Sequence, residues 1–407
     1  MPCVVSLAAA TLGFWLGAGL PAAAATSAAV AVLVVACPCA LGLATPTALL
    51  AGVGRGAELG ILVKSAQVLE SARRIRTVVL DKTGTLTTGT MAVCDIVTAA
   101  GTGGEEALLL AGAVEDGSEH PIGQAIAREA TARIGALPPV TGFASLPGAG
   151  VRGTADGRAI TVGRDRLFAE LSLAVPDGLR RAVDAAEAAG RTAVLAGWDG
   201  QARAVFVVAD ALKPSSAAAV AQMRGLGLRP ILLTGDNERT ALSAATGLGI
   251  PPGDVYAAVQ PEGKAKVVRE LQAGGATVAM VGDGVNDAAA LATADLGMAV
   301  GTGTDAAIGA AGLTLVSGDP RSIAEAVQLA RATVAVIRAN LAWAFGYNVI
   351  AIPLAALGYL NPLLAGLVMS ASSLIVVSNS LRLRRFRATR PAPASGTQPH
   401  GAREVGQ

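Results

Sequence analysis

The chain has 407 residues, enough for roughly two to four folding units, and a formal net charge of only +2. That balance gives no electrostatic case for nucleic acid binding. The four cysteines, Cys3, Cys37, Cys39 and Cys94, are too scattered for a secreted disulfide framework.

Charge is distributed unevenly along the chain. No Asp, Glu, Lys or Arg precedes Arg55, and none lies between Arg338 and Arg382. Each gap is long enough for a pair of membrane crossings at about 20 residues apiece. Residues 3–20 predict a first span, without the basic leading region of a signal peptide. Pro21 marks a turn, and residues 27–50 predict a second span. Arg55, Lys64, Arg73, Arg74 and Arg76 follow directly, placing that end on the cytoplasmic side. Residues 340–359 and 362–381 predict a second pair, joined by the uncharged turn 358–362 and followed by Arg382, Arg384, Arg385 and Arg387. The tail after Arg390 has the composition of a disordered segment.

Between the spans, three apolar runs end in Thr, Gly or Asp. Thr77–Leu80 leads into Asp81-Lys82-Thr83-Gly84-Thr85, Pro230–Leu233 into Thr234-Gly235-Asp236, and Thr277–Val281 into Gly282-Asp283-Gly284-Val285-Asn286-Asp287. Strands of this kind, with helices expected at 215–226, 238–247 and 262–273, predict one parallel sheet whose carboxyl edge gathers the polar residues. Residues from about 93 to 209 carry their own strand signals, at 158–163, 192–197 and 203–208, and read as a domain inserted into the first.

At such an edge Asp81 can attack a phosphoryl group and form an aspartyl-phosphate. Lys82, Thr83, Thr234 and Lys264 would hold the phosphoryl group, and Asp283 and Asp287 suit Mg²⁺, with Asp81 and Thr83 beside them. In the membrane blocks, Cys37-Pro38-Cys39 lies mid-span. Pro38 can unwind the turn so that both sulfurs line one path, and two thiols there suit a soft ion, Cu(I) first and Ag(I) as its mimic. Tyr347, Asn348, Met369, Ser372 and Ser373 fall in the other spans. The serines there also suit helix packing. Neither apolar block holds an Asp, Glu, His or Lys, although a divalent ion would recruit such a partner despite a cost of about 2.5–3.5 kcal/mol at the bilayer centre.

The Asp81–Thr87 string resembles the phosphorylation motif of the P-type ATPases. The ordered strand ends resemble the haloacid-dehalogenase superfamily. Phosphatases of that superfamily carry a second aspartate two residues after the nucleophile, where this chain has Thr83, so the phosphoenzyme is expected to persist. Cys-Pro-Cys, Tyr-Asn and Met-Ser-Ala-Ser-Ser together resemble the copper(I) subgroup of the heavy-metal pumps. The resemblance implies that Thr234, Gly235 and Asp236 join the catalytic set with Asp81, Lys82, Thr83 and Lys264. It implies ATP contacts at Glu119, His120, Gly148 and Gly150, from Ser118-Glu119-His120-Pro121 and the glycine run 148–153. It further implies an ion path through Cys37, Cys39, Tyr347, Asn348, Met369 and Ser373.

The expected architecture is therefore a multi-domain membrane protein. Four transmembrane α-helices would join an α/β haloacid-dehalogenase-like phosphorylation domain carrying an inserted α+β nucleotide-binding domain. The expected boundaries are spans at 1–54, phosphorylation domain at 55–92 and 210–330, nucleotide-binding domain at 93–209, spans at 331–382 and a tail at 383–407. The resemblance implies a multi-pass protein of a bacterial plasma membrane with cytoplasmic catalytic domains, using ATP and Mg²⁺. It leaves room for a metallochaperone that delivers the ion. No Thr-Gly-Glu occurs, whereas these pumps carry it on an actuator domain ahead of the region matched. The expectation is the carboxyl-terminal portion of such a pump (a gene fragment, a mis-assigned start or one piece of a split protein whose other half is supplied in trans) that loads phosphate but does not turn over alone. A Zn, Cd or Pb exporter and a non-pumping nucleotide- or metal-binding membrane fragment stay open as alternatives.

Overall fold

The computed structural model describes residues 2–146, 148–301 and 303–388. It divides into two compact units: Arg76–Ala311 with Ser317–Arg321, and the remainder on either side.

The first unit is built on two sheets. In the parallel one the strands lie in the order Leu296–Val300, Val278–Gly282, Thr77–Asp81, Arg229–Leu233, Val255–Tyr256. Val78, Val79, Leu80, Ile231, Leu232 and Met280 are fully buried, as strands covered on both faces must be. Pairing sets Asp81 beside Leu233 and Leu80 beside Val281, so the three expected strands are adjacent and end together. Leu296–Val300 and Val255–Tyr256 extend the sheet on either side without a polar signature of their own.

The chain leaves this sheet at Thr87 and returns at Leu212, along the paired antiparallel strands Thr87–Thr98 and Gln201–Leu212. Between them lies a six-stranded antiparallel sheet that adds Val140–Leu146, Gly150–Ala155, Arg158–Gly163 and Thr192–Trp198. Helices Gly104–Glu115 and Pro121–Ile134 belong to a core with Val114, Ile126, Phe206 and Val208. Phe168, Leu179, Leu195 and Val205 form a second core with helix Asp177–Ala188. Alternation along Gln201–Leu212, Phe206 to one core and Val205 to the other, is the period-two pattern of a strand with two covered faces.

The second unit holds the apolar helices. Ala22–Val35 and Cys39–Glu58 are separate helices, broken at Ala36-Cys37-Pro38 because proline offers no N–H to the ladder. Arg321–Ala356 is one 36-residue helix, about 54 Å long at 1.5 Å per residue. It begins well before the expected residue 340, since Arg338 does not interrupt it. After the turn at Gly358, Asn361 caps Pro362–Leu381 by accepting from Leu364 N at 2.8 Å. Three helical stretches among the described residues are long and apolar enough to cross a membrane: Ala22–Glu58, Arg321–Ala356 and Pro362–Arg385. The expected fourth, Pro2–Gly17, has only 16 residues. It ends short because Gly19, with φ of 79°, and Pro21 follow, leaving about 24 Å of helix against a core of about 30 Å. The tail beyond Ala388 lies outside the described residues.

Small residues bring these helices together: Ala8, Ala31, Ala40, Ala44, Ala344, Ala351, Ala355 and Ala365 are all buried in one cluster. At Gly52 an added Cβ would lie 2.5 Å from Thr333 Oγ1. Replacing Gly52 with Ala should therefore cost about 1–3 kcal/mol of overpacking. Thermal melts in detergent should show a lower midpoint for Gly52→Ala and most of it regained in Gly52→Ala/Thr333→Ala; an unchanged single variant would contradict this packing.

Candidate active site and ion path

Asp81 ends its strand at the carboxyl edge of the parallel sheet, and Thr234, Asp283 and Asp287 follow the neighbouring strand ends. Lys264 reaches in from helix Pro261–Ala273, its Nζ donating to Asp81 Oδ1 and to Asp287 Oδ1, each at 2.7 Å. Lys264 is thus a buried bridging cation, which its Pro-Glu-Gly-Lys surroundings do not reveal. Asp81, Asp283 and Asp287 bring carboxylate oxygens within 4.8 Å of one another. Three hard oxygen donors at that spacing fit Mg²⁺.

Burial, followed by the charges of Asp287 and Asp283, pushes Asp81 up to about 7 against the opposing pull of Lys264. Burial and then Asp287 also raise Asp283. For Lys264, burial lowers the pKa but the neighbouring Asp81 and Asp287 outweigh it, and the net shift is upward. The turn after Asp81 needs Gly84 in the left-handed region, φ 69°, where a Cβ would overlap the Asp283 carboxylate. Lys82 turns away from Asp81 to pair with Asp236. Thr234 Oγ1 accepts from Asp236 N at 3.1 Å, with Gly235 between them. Thr83 is exposed at the mouth.

In the antiparallel lobe a cavity of about 230 Å³ is lined by Glu115, Ser118, His120, Gly148, Gly150 and Arg164, among others. His120 caps helix Pro121–Ile134, its Nδ1 accepting from Ile122 N at 3.2 Å; a neutral ring then carries its proton on Nε2. Glu119 does not line the cavity and is exposed. The carboxylate there belongs to Glu115, on the buried face of helix Gly104–Glu115 at heptad spacing from Leu108. That spacing was the available signal. A larger cleft of about 750 Å³ is lined by Lys82, Thr83 and Asp236 from the parallel lobe and by Gly190 and Arg191 from the antiparallel lobe.

In the helical unit the chain break lets Cys37 and Cys39 meet sulfur to sulfur, their Cα atoms 5.5 Å apart. It is one local bridge, and only the reduced thiolates can hold an ion. Met369 Sδ lies 4.0 Å from Cys39 Sγ, and Tyr347 Oη donates to Cys37 O at 3.4 Å. Asn348 Nδ2 donates to Ala344 O at 3.1 Å. Ser372, rather than Ser373, is the buried serine.

Residues 75–295 match the haloacid dehalogenase-like hydrolases. The chain belongs to that family. The chain is also 51% identical over 386 residues to a probable copper-exporting P-type ATPase V of Mycobacterium tuberculosis, covering 95% of the chain and 50% of the relative. It is 47% identical to the probable copper-transporting ATPase PacS of Synechococcus elongatus, covering 95% of the chain and 52% of that protein. A crystal structure of a zinc-transporting PIB-type ATPase in the E2.Pi state superposes with a TM-score of 0.79 at 34% identity, covering 94% of this chain and 62% of that chain. The resemblance to heavy-metal P-type ATPases thus extends through helices and sheets alike. The chain spans about half the length of the curated relatives it matches.

Burial raises Glu115 to about 7, with the Ser118 hydrogen bond opposing. A carboxyl raised in the folded state binds more protons there than in the unfolded chain, so stability falls as pH climbs from about 4.5 to above 7. The loss amounts to about 3 kcal/mol at one pKa unit per 1.36 kcal/mol. Glu115→Gln should melt higher than the parent at pH 8.5, with the gap closing toward pH 5; the same gap at both pH values would contradict the assignment.

Proposed function

We propose that this chain transfers the γ-phosphoryl group of ATP to Asp81 and couples that step to moving a soft cation, Cu(I), across a membrane. The observation that carries the reading is the Cys37–Cys39 sulfur pair with the Met369 thioether 4.0 Å away, in apolar stretches free of Asp, Glu, His and Lys. Soft donors without a hard partner favour a soft monovalent ion.

In this mechanism an Asp81 oxygen attacks the γ-phosphorus, the bond to the ADP oxygen breaks, and ADP leaves. Lys264 orients the Asp81 carboxylate and offsets charge beside it, while Asp287 holds Lys264 in place. Asp81, Asp283 and Asp287, with Thr83, would hold Mg²⁺, which neutralises phosphate charge. Lys82, Thr234, Gly235 and Asp236 line the approach. Thr83 cannot act as a base two residues from the nucleophile, so the acyl phosphate is long-lived. Residues 93–209 act as the nucleotide-binding domain, with adenine in the cavity of Glu115, His120, Gly148 and Gly150. Residues 55–92 and 210–330 form the phosphorylation domain. Tyr347, Asn348 and Ser372 complete the ion path around the sulfurs.

Acid-quenched labelling with γ-³²P-ATP under reducing conditions tests this. Label should appear on the parent chain, vanish in Asp81→Asn, and rise several-fold with Cu(I); Cys37→Ser and Cys39→Ser should remove the Cu(I) response while leaving ATP binding intact. A response to Zn²⁺ but not to Cu(I) would transfer the reading to a divalent ion, as in the zinc-transporting structural relative.

A further inference from the structure

Lys213 sits just past strand Gln201–Leu212, where the chain re-enters the parallel lobe. Its backbone N–H donates to Leu86 O at 2.9 Å. Its Nζ donates to three backbone carbonyls: Gly84 at 2.8 Å, Thr85 at 3.0 Å and Gly318 at 2.9 Å. An ammonium has three donors, and here all are used on main-chain oxygens. Two of those oxygens belong to the turn that follows Asp81. From the other side the same turn is held by Thr87, whose Oγ1 accepts from Gly84 N at 3.0 Å and is within 2.6 Å of Asp210 Oδ2.

The third oxygen is far away in sequence. Gly318 lies in Ser317–Arg321, immediately ahead of helix Arg321–Ala356, which carries Tyr347 and Asn348. Its φ of 64° is a left-handed conformation suited to glycine. The segment is stiffened by its own contacts: Asp319 Oδ1 accepts from Arg321 N at 2.9 Å, and Asp319 Oδ2 takes the Arg321 guanidinium at 2.9 and 2.6 Å.

We propose that Lys213 is a positioning residue that ties the turn after Asp81 to the segment starting helix Arg321–Ala356, so that the chemical state of Asp81 and metal occupancy of the helices bias one another. The compact ammonium suits three converging carbonyls; a planar guanidinium does not match that tripod. A tie of this kind is an element that both sites can shift, as coupling requires. The coupling part rests on the aspartyl-phosphate reading above, whereas the tie itself stands without it.

The test uses the full chain and Lys213→Met, which keeps the side-chain volume and removes the donors. Hydrogen–deuterium exchange without nucleotide should show faster exchange in the variant at both 82–86 and 317–321; a change in one segment alone, or in neither, overturns the tie. In the labelling assay, unstimulated phosphorylation should stay within about threefold of the parent, while the ratio of Cu(I)-stimulated to unstimulated label collapses toward one. A merely structural residue would lower both levels together, so an unchanged ratio refutes the coupling. Lys213→Arg should restore less than half of the lost ratio. Should Lys213→Met fail to fold, the parent chain alone decides: magnesium and beryllium fluoride, as a phosphate mimic, must alter exchange at 317–321 as well as at 82–86, and a response confined to 82–86 rejects the proposal. If the parent takes no label, the phosphorylation reading fails, and the coupling with it, while the exchange measurement still decides the tie.

Discussion

The carboxyl edge of the parallel sheet depends on one cation. Asp81, Asp283 and Asp287 converge within 4.8 Å, and like charges about 4 Å apart repel by about 4 kcal/mol at an effective dielectric of 20. Lys264 makes the arrangement tenable by holding Asp81 and Asp287 at 2.7 Å each. The bridge also fixes which Asp81 oxygen is engaged, leaving the other for chemistry. Burial and the neighbouring Asp287 raise Asp81 against the pull of Lys264, and one cation faces three carboxylates there, so a divalent cation would offset the remaining charge.

Around this centre the fold separates two tasks within one unit. The parallel sheet sets Asp81 and its neighbouring carboxylates at adjacent strand ends, and the antiparallel lobe holds a cavity lined by apolar and polar groups. The lobes are joined by the paired strands Thr87–Thr98 and Gln201–Leu212, with a cleft lined from both sides. In the proposed reading, a nucleotide seated in the cavity of one lobe would send its phosphates toward the other, and motion about the paired strands would set whether the γ-phosphate and Asp81 meet. A chain crossing at only two neighbouring strands suits such motion better than a broad interface.

Much of this was legible in the sequence, for a physical reason. A buried parallel strand must be apolar throughout, so the first Asp or Thr after it marks the sheet edge; Asp81, Thr234, Asp283 and Asp287 could be read that way. Contacts between partners distant in sequence could not. Lys264 is expected beside the phosphoryl group from the ordered set of strand ends, but its bridge between Asp81 and Asp287 shows only once the helix bearing it packs beside Asp81. Glu115 looks like the last residue of an amphipathic helix, and the nearby Glu119 draws attention away from it. Lys213 has partners at 84, 85 and 318 that no local pattern links. Helix lengths were misread where charge was taken as a boundary: Arg338 lies inside a continuous helix, while Pro2–Gly17 stops at a glycine and a proline that carry no charge.

The break at Cys37-Pro38-Cys39 has an electrostatic side too. Two helices meet there, the carboxyl end of Ala22–Val35 and the amino end of Cys39–Glu58. Peptide dipoles leave partial positive charge at the amino end of a helix, equivalent to about half an elementary charge, and Cys39 is the first residue of a 20-residue helix. No Lys, Arg or His occurs before Arg55 in the chain, so that dipole is a source of positive potential for anionic sulfur at Cys39. In the proposed reading, the break at Pro38 would thereby supply, through the backbone alone, part of the counter-charge that a reduced thiolate pair needs before an ion binds.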